Sequence, residues 1–230
     1  MTITYHEDVE QGSDEWKALR CGRLTASETK LILTPTLKIA DNDKVRAHVF
    51  ELAAQRISGY VEPTYIGEHM LRGKADEVEA RILYSQKYAE VDEVGFITTD
   101  APGFVIGYSP DGLVGKDGLI ECKSRIQKYQ IQTITDMEVP EEFVLQLQMG
   151  LYVTKRKWID FVSYSGGLPM VTIRQEPIQK MQDAISEAST LFEQKVVERV
   201  SLYEDRLKSD ARLIPTERKV EQEMFLGTGE

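Results

Sequence analysis

Two carboxylates and an amine lie close together in Ser109-Pro110-Asp111, nine residues, Glu121-Cys122-Lys123. Both halves fall in stretches rich in Val, Ile, Phe or Tyr and punctuated by Gly or Pro, which read as adjacent strands, so hairpin geometry can bring Asp111 beside Glu121 and Lys123. Side chains alternate along a strand: Glu121 and Lys123 point one way, Cys122 points into the opposite layer, and the Cys122 backbone carbonyl remains available as a ligand. Magnesium takes oxygen ligands in an octahedron, commonly one or two carboxylates completed by water and phosphate oxygens, and Asp111 and Glu121 meet that need. A lysine beside such an ion can orient the attacking water, help deprotonate it, or stabilise a pentavalent transition state, and all three roles are open to Lys123. The same residues also suit a surface hairpin, since Pro, Asp and Gly are turn formers and an isolated Asp…Glu-x-Lys pattern is short and degenerate.

The elements that must position these residues follow from periodicity and end signals. Ser13 opens a short helix, SDEWKALR, with acidic residues first and Arg20 last, as the helix dipole prefers. Thr25-Ala-Ser-Glu28 reads as a capping box at a second helix start, gathering polar atoms near Thr25 and Ser27. Val45, Val49, Leu52, Ala53 and Ile57 mark an amphipathic helix ending at Gly59. Between Gly67 and Tyr88, Leu71, Ala75, Val78 and Ile82 mark another, with Glu77 and Glu79 on its other faces. From Val91 the pattern turns to β, as a three-stranded meander through VDEVGFITTD, GFVIGYSPDGLV and GLIECKSR. The stretch 127–136 fits helix and strand equally, Pro140 leads a helix through EEFVLQLQMGLYVTK, WIDFVSYS and MVTIRQE form a second β pair, and 178–207 is a long charged helix. The polar tail beyond Lys208 is expected to be loosely held. This order predicts one α/β domain with a central mixed β-sheet flanked by helices.

Composition narrows the function less. The 230 residues include two cysteines, Cys21 and Cys122, without metal-ligand spacing, and three scattered histidines, which predicts free thiols and no zinc. No window is long and apolar enough to span a membrane, and the N-terminal stretch lacks the features of a signal peptide, so a soluble, cytoplasmic protein is expected. A formal net charge of −10 argues against nucleic acid by itself, but clustered carboxylates that hold cations invert the local field. Trp16 and Trp158 read as core anchors, and Lys155-Arg156-Lys157 as solvated charge.

Four blocks resemble the phage lambda exonuclease and YqaJ-type viral recombinase nucleases of the PD-(D/E)xK superfamily: EWKALRCGRLTASE (Glu15 to Glu28), RGKADEVEAR (Arg72 to Arg81), SPDGLVGKDGLIECK (Ser109 to Lys123) and FVLQLQMGLYV (Phe143 to Val153). The resemblance implies a restriction-endonuclease-like core. It implies metal ligation by Asp111, Glu121 and the Cys122 carbonyl, with Glu77 as a further carboxylate, catalysis by Lys123, and Gln146 near the lysine or the attacking water, Gln148 being the weaker candidate. Arg20, Thr25 and Ser27 would form a 5′-phosphate pocket. Where the family places a basic residue beyond that pocket, this chain has Thr34-Pro35-Thr36-Leu37, with Lys38 the nearest cation. The implied activity is a magnesium-dependent 5′→3′ exonuclease, with manganese able to substitute and two ions per site, acting on double-stranded DNA ends in a bacterial or phage-infected cell. The implied partners are two further copies in a homotrimer ring and a single-strand annealing protein. Two alternatives use the same residues: a PD-(D/E)xK endonuclease of restriction or junction-resolving type, and an inactive DNA-end-binding module.

Overall fold

The computed structural model describes residues 1–63, 67–209 and 211–218, and of Glu68 and His69 only the backbone. Its strands form two sheets. The first is antiparallel, ordered β1-β2-β3 from β1 (Ile3–His6), β2 (Phe96–Thr99) and β3 (Ile106–Tyr108). The second is mixed, ordered β4-β5-β6-β7 from β4 (Gly112–Val114), β5 (Gly118–Ser124), β6 (Trp158–Tyr164) and β7 (Val171–Gln175). Strand β5 pairs antiparallel to β4 and parallel to β6. The expected mixed sheet is therefore present.

The expected three-stranded meander is instead four short strands divided between the two sheets, and the division falls at Ser109-Pro110-Asp111. Pro110 has no N–H to continue a ladder, so the chain leaves one sheet there and enters the next. Strand β1 carries no alternation strong enough to be anticipated; its partner β2 supplies the ladder.

A parallel neighbour requires a crossover. Between β5 and β6 the chain makes it with helices α5 (Gln127–Asp136) and α6 (Glu141–Thr154), which settles 127–136 as helical. Helix α6 is nearly all buried from Leu145 to Thr154, lying between the sheets and the long helix α7 (Gln179–Leu207). The apolar face of α7, with Ile185, Ala188, Phe192 and Val196, packs on α6 and on α3 (Asp43–Ser58), where Arg56 makes a two-armed 2.7 Å ion pair with Glu193. Helix α1 (Asp14–Arg20) carries the expected Ser13 cap, accepting from the Trp16 N–H at 3.1 Å.

Helix α4 (Glu68–Lys87) exists as expected, but presents a different face inward. The stripe of Leu71, Ala75, Val78 and Ile82 is exposed, and the buried positions are Ala80 and Tyr84. The inward side also carries polar groups: Asp76 accepts from the Ser124 hydroxyl at 2.5 Å, and Arg81 lies near the Asp111 carbonyl. Those contacts lie beside the carboxylate hairpin, so the polar face of α4 is turned toward β5 and the apolar stripe away from it.

Candidate active site

The β4–β5 hairpin pairs Gly112 with Ile120, and one further step of that register sets Asp111 across from Glu121. Asp111 Oδ2 accepts the Cys122 backbone N–H at 2.6 Å, which fastens the Ser109-Pro110-Asp111 segment onto β5. Cys122 turns to the opposite layer, among Ala80, Tyr84, Ile120 and Val162, as strand alternation requires.

Glu121 is buried at 2% exposure and hydrogen-bonded at both oxygens. The Tyr108 hydroxyl donates to its Oε2 at 2.5 Å, the Lys123 ammonium to its Oε1 at 2.6 Å, and the Gln146 amide also donates to Oε1. Three elements thus meet on one carboxylate. Tyr108 ends β3, Glu121 and Lys123 share a face of β5, and Gln146 lies on α6. Sequence reasoning missed Tyr108; the available signal was its position directly before Ser109-Pro110-Asp111, at the end of a strand. Gln148, two residues from Gln146, faces the other way: it is buried, accepts the Ile178 N–H at 2.9 Å and donates to the Glu176 carbonyl at 2.9 Å. Its role is to anchor the start of α7, because residues two apart on a helix face different sides.

Three carboxylates face one lysine here. Burial, with the charges of Glu121 and Glu77 added, pushes Asp111 well above the usual carboxylate range, against the pull of Lys123 and the Cys122 N–H. Glu77, half-buried on α4, is also pushed up, first by burial; Lys123 opposes the shift and Glu121 adds to it. Burial disfavours the charge of Lys123, but Glu121 and Asp111 outweigh it and hold the ammonium above the ordinary lysine range. Burial pushes the Tyr108 phenol far up, and Glu121 adds to this, so Tyr108 is a permanent donor.

Among the described residues, no three His, Cys, Asp or Glu side chains stand as a ready-made metal cage. The donor set nevertheless fits a hard dication that keeps most of its water. Its carboxylates repel one another, burial makes their charge costly, and Lys123 already rests where positive charge is favoured. Asp111, Glu121 and Glu77 are the side chains that would hold it. Glu121 Oε1 already accepts two hydrogen bonds and Oε2 one, so Oε2 keeps an acceptor site open to a cation.

The residues expected to receive a 5′-phosphate come together beside this centre. The Arg20 guanidinium donates to Thr25 Oγ1 at 3.1 Å, and Thr25 Oγ1 lies 3.4 Å from Ser27 Oγ. Glu28 accepts the Thr25 N–H at 2.8 Å, as the capping box predicts, although the helix it opens is a 3-10 turn, Ala26–Glu28, followed by the four-residue α2 (Thr29–Ile32). Thr25 bridges to Gly107 on β3, one residue before Tyr108. Trp16, expected in the core, is half-buried at this junction. Its indole N–H donates to Ser109 Oγ at 2.9 Å, and its ring lies under the Arg20 guanidinium at 4.5 Å. Ser109 and Trp16 thereby join pocket and carboxylates, which the order of motifs along the chain does not show.

Lys155-Arg156-Lys157 is not merely solvated. Arg156 donates to the Gly115 and Gly118 carbonyls at 2.8 and 2.7 Å, Lys157 pairs with Asp117 at 2.9 Å, and Lys155 lies 3.9 Å from the Tyr152 ring centroid. Two of the three cations brace the turn between β4 and β5.

Acidic side chains and a lysine thus meet beside a mixed sheet flanked by helices. A model of the YqaJ-like viral recombinase domain matches residues 15–157, and the chain belongs to that family. It is similar in structure to the alkaline exonuclease LHK-Exo of Laribacter hongkongensis, at a TM-score of 0.76 and 29% identity over 85% of this chain and 98% of that one. The same enzyme in complex with dAMP is matched at a TM-score of 0.72 and 28% identity over the same shares, 85% and 98%. A phage-related exonuclease from Haemophilus somnus 129PT shares the fold, at a TM-score of 0.57 and 14% identity over 79% of this chain and 96% of that one. No curated protein matches the sequence. Among the described residues no helix is long and apolar enough to cross a membrane.

Proposed function

We propose that the chain is a magnesium-dependent 5′→3′ exonuclease that removes nucleotides from one strand of duplex DNA and leaves a 3′ overhang. The observation that carries this reading is the convergence of Tyr108, Lys123 and Gln146 on the buried Glu121, opposite Asp111. A magnesium ion, or manganese in its place, held by Asp111, Glu121 and Glu77 with the Cys122 carbonyl would polarise the phosphoryl oxygens and lower the pKa of a water. Two ions per site accord with the number of carboxylates.

The carboxylates hold Lys123 as an ammonium in the metal-free protein; with a metal on those carboxylates, Lys123 would orient the water, help deprotonate it or stabilise the transition state. Gln146, whose amide N–H donates to Glu121, would orient the attacking water through its amide oxygen. Arg20, Thr25 and Ser27 would receive the 5′-phosphate, Arg20 with a charged fork and the two hydroxyls with rotatable donors. The dAMP complex of the similar alkaline exonuclease fits release of 5′-mononucleotides. The overhang implies an annealing protein as consumer, and a homotrimer ring around the duplex would supply processivity without a basic monomer.

The experiment is digestion of linear and covalently closed duplex DNA with and without magnesium, using 5′-phosphoryl and 5′-hydroxyl ends, with Lys123→Ala as the inactive control. Degradation of linear DNA alone, from 5′ ends and only with metal, is expected. Cutting of closed circles would replace this reading with an endonuclease, and no cutting at all with a DNA-end-binding module.

A further inference from the structure

Residues 121, 123 and 125 lie on one side of the chain as it leaves β5, and each meets α6. Glu121 meets Gln146, Lys123 lies 5.8 Å from the Phe143 ring centroid, and Arg125 pairs with Glu142 at 2.7 Å. Glu142 and Gln146 are four residues apart and therefore one above the other on the helix. The third rung is the most elaborate. The Arg125 guanidinium lies 5.0 Å from the Phe143 ring and 5.1 Å from that of Tyr129, so it touches both helices of the crossover. Its side chain is only 8% exposed, whereas that of Glu142 is 59% exposed. The Arg125 N–H donates to the Tyr164 carbonyl at 2.7 Å, which holds its backbone to the neighbouring strand. Phe143 in turn stacks on Phe161 of β6 at 5.4 Å.

We infer that the Arg125–Glu142 pair is a clasp that fixes the first turn of α6 against the end of β5, setting where Gln146 and Lys123 stand relative to Glu121. Arg125 is thus a positioning residue for hydrolysis. The inference rests on the nuclease reading of this face. A solvated ion pair would add little, but this guanidinium is buried between two rings and, among the described residues, its planar fork has one hydrogen-bond partner, Glu142. A helix of 14 residues fixed at its first turn carries Gln146 with it as a rigid body. Reacting groups displaced by about 1 Å cost about 100-fold in rate.

The test compares Arg125→Ala, Arg125→Lys, Glu142→Ala and the Arg125→Ala/Glu142→Ala double variant. It measures kcat and KM on linear duplex DNA with magnesium, together with the NMR side-chain amide signals of Gln146, identified by their loss in Gln146→Ala. Each alanine variant is expected to lose about 10–100-fold in kcat at nearly unchanged KM. The double variant should lose no more than either single one, Arg125→Lys should recover part of the rate, and the Gln146 amide should move alike in all three alanine variants. A raised KM with unchanged kcat would make Arg125 a DNA contact and overturn the clasp. Additive losses, or an unmoved Gln146 amide in an active protein, would overturn it too. If the wild type cuts no DNA while the Gln146 amide still moves alike in the variants, the nuclease reading falls and the clasp stands.

Discussion

Asp111→Asn separates the cost of this site from its use. The asparagine Oδ1 can still accept the Cys122 N–H that Asp111 Oδ2 accepts at 2.6 Å, so the hairpin keeps its fastening and only a charge is removed. That charge is buried and repelled by Glu121 and Glu77. Two like charges about 4 Å apart at an effective dielectric of about 20 repel by about 4 kcal/mol. With Lys123 offsetting roughly half, the net relief is about 2 kcal/mol, or about 4–8 °C in Tm for a chain of this size. The sign depends on pH. Asp111 is raised above its unfolded value of 3.8, so it destabilises the metal-free protein increasingly as pH rises through its folded pKa. The gain should therefore be largest at alkaline pH and vanish in acid. The assay is scanning calorimetry at pH 8, first with chelator and then with increasing magnesium. The variant should melt higher than wild type in chelator and respond little to magnesium, whereas wild type should climb with magnesium concentration. A variant that melts lower in chelator would show that Asp111 is a turn-former whose charge the fold needs, and an undiminished magnesium response would remove it from the metal site.

Tyr108→Phe removes the 2.5 Å hydrogen bond to Glu121 without leaving a cavity. Loss of such an outer partner typically weakens metal binding about 10–100-fold; half-saturation by magnesium, followed by calorimetric titration, should rise by that factor while the saturated rate stays within a few-fold, and unchanged affinity would contradict it. A Cβ on Gly150 would meet Tyr108 Cε1 and Cζ at 2.9 Å, so Gly150→Ala should lose about 1–3 kcal/mol to overpacking despite its better helix propensity. Urea unfolding checks this, and a stabilised variant would show that the Tyr108 ring yields freely. His48, 4% exposed, has Nδ1 at 2.9 Å from Glu51 and Nε2 at 3.6 Å from Glu28. Burial lowers its pKa, but the two glutamates outweigh burial and raise it above 6.5. Its contribution is full below about pH 6.5 and fades as pH rises through the folded value, so the stability difference between wild type and His48→Gln, measured with magnesium present, should shrink between pH 6 and 9. A difference independent of pH would mean that His48 only packs on Phe192.

The facing of Asp111 and Glu121 was legible in the sequence because a hairpin is a local object, and strand alternation alone puts Glu121 and Lys123 on one face; Glu77 entered only through the family resemblance. The long helix α7, the helix after Pro140 and the β pair that follows were legible for the same reason: each carries its own periodicity and end signals. What remained open was decided by neighbours in space. The outward turn of Leu71, Val78 and Ile82 contradicts the pattern of α4, because its inward face is set by Asp76, Glu77 and Arg81 at the site. The divergence of Gln146 and Gln148 depends on where α6 lies, with Glu121 on one side and the start of α7 on the other. Tyr108, Ser109 and Trp16 acquire their partners only when β3 and α1 meet the hairpin. Residue type and spacing determined which groups could do chemistry, since these are properties of short segments. Burial and pairing across 13 to 93 residues of chain decided which of them share a charge, because electrostatic coupling follows distance in space and not separation in sequence.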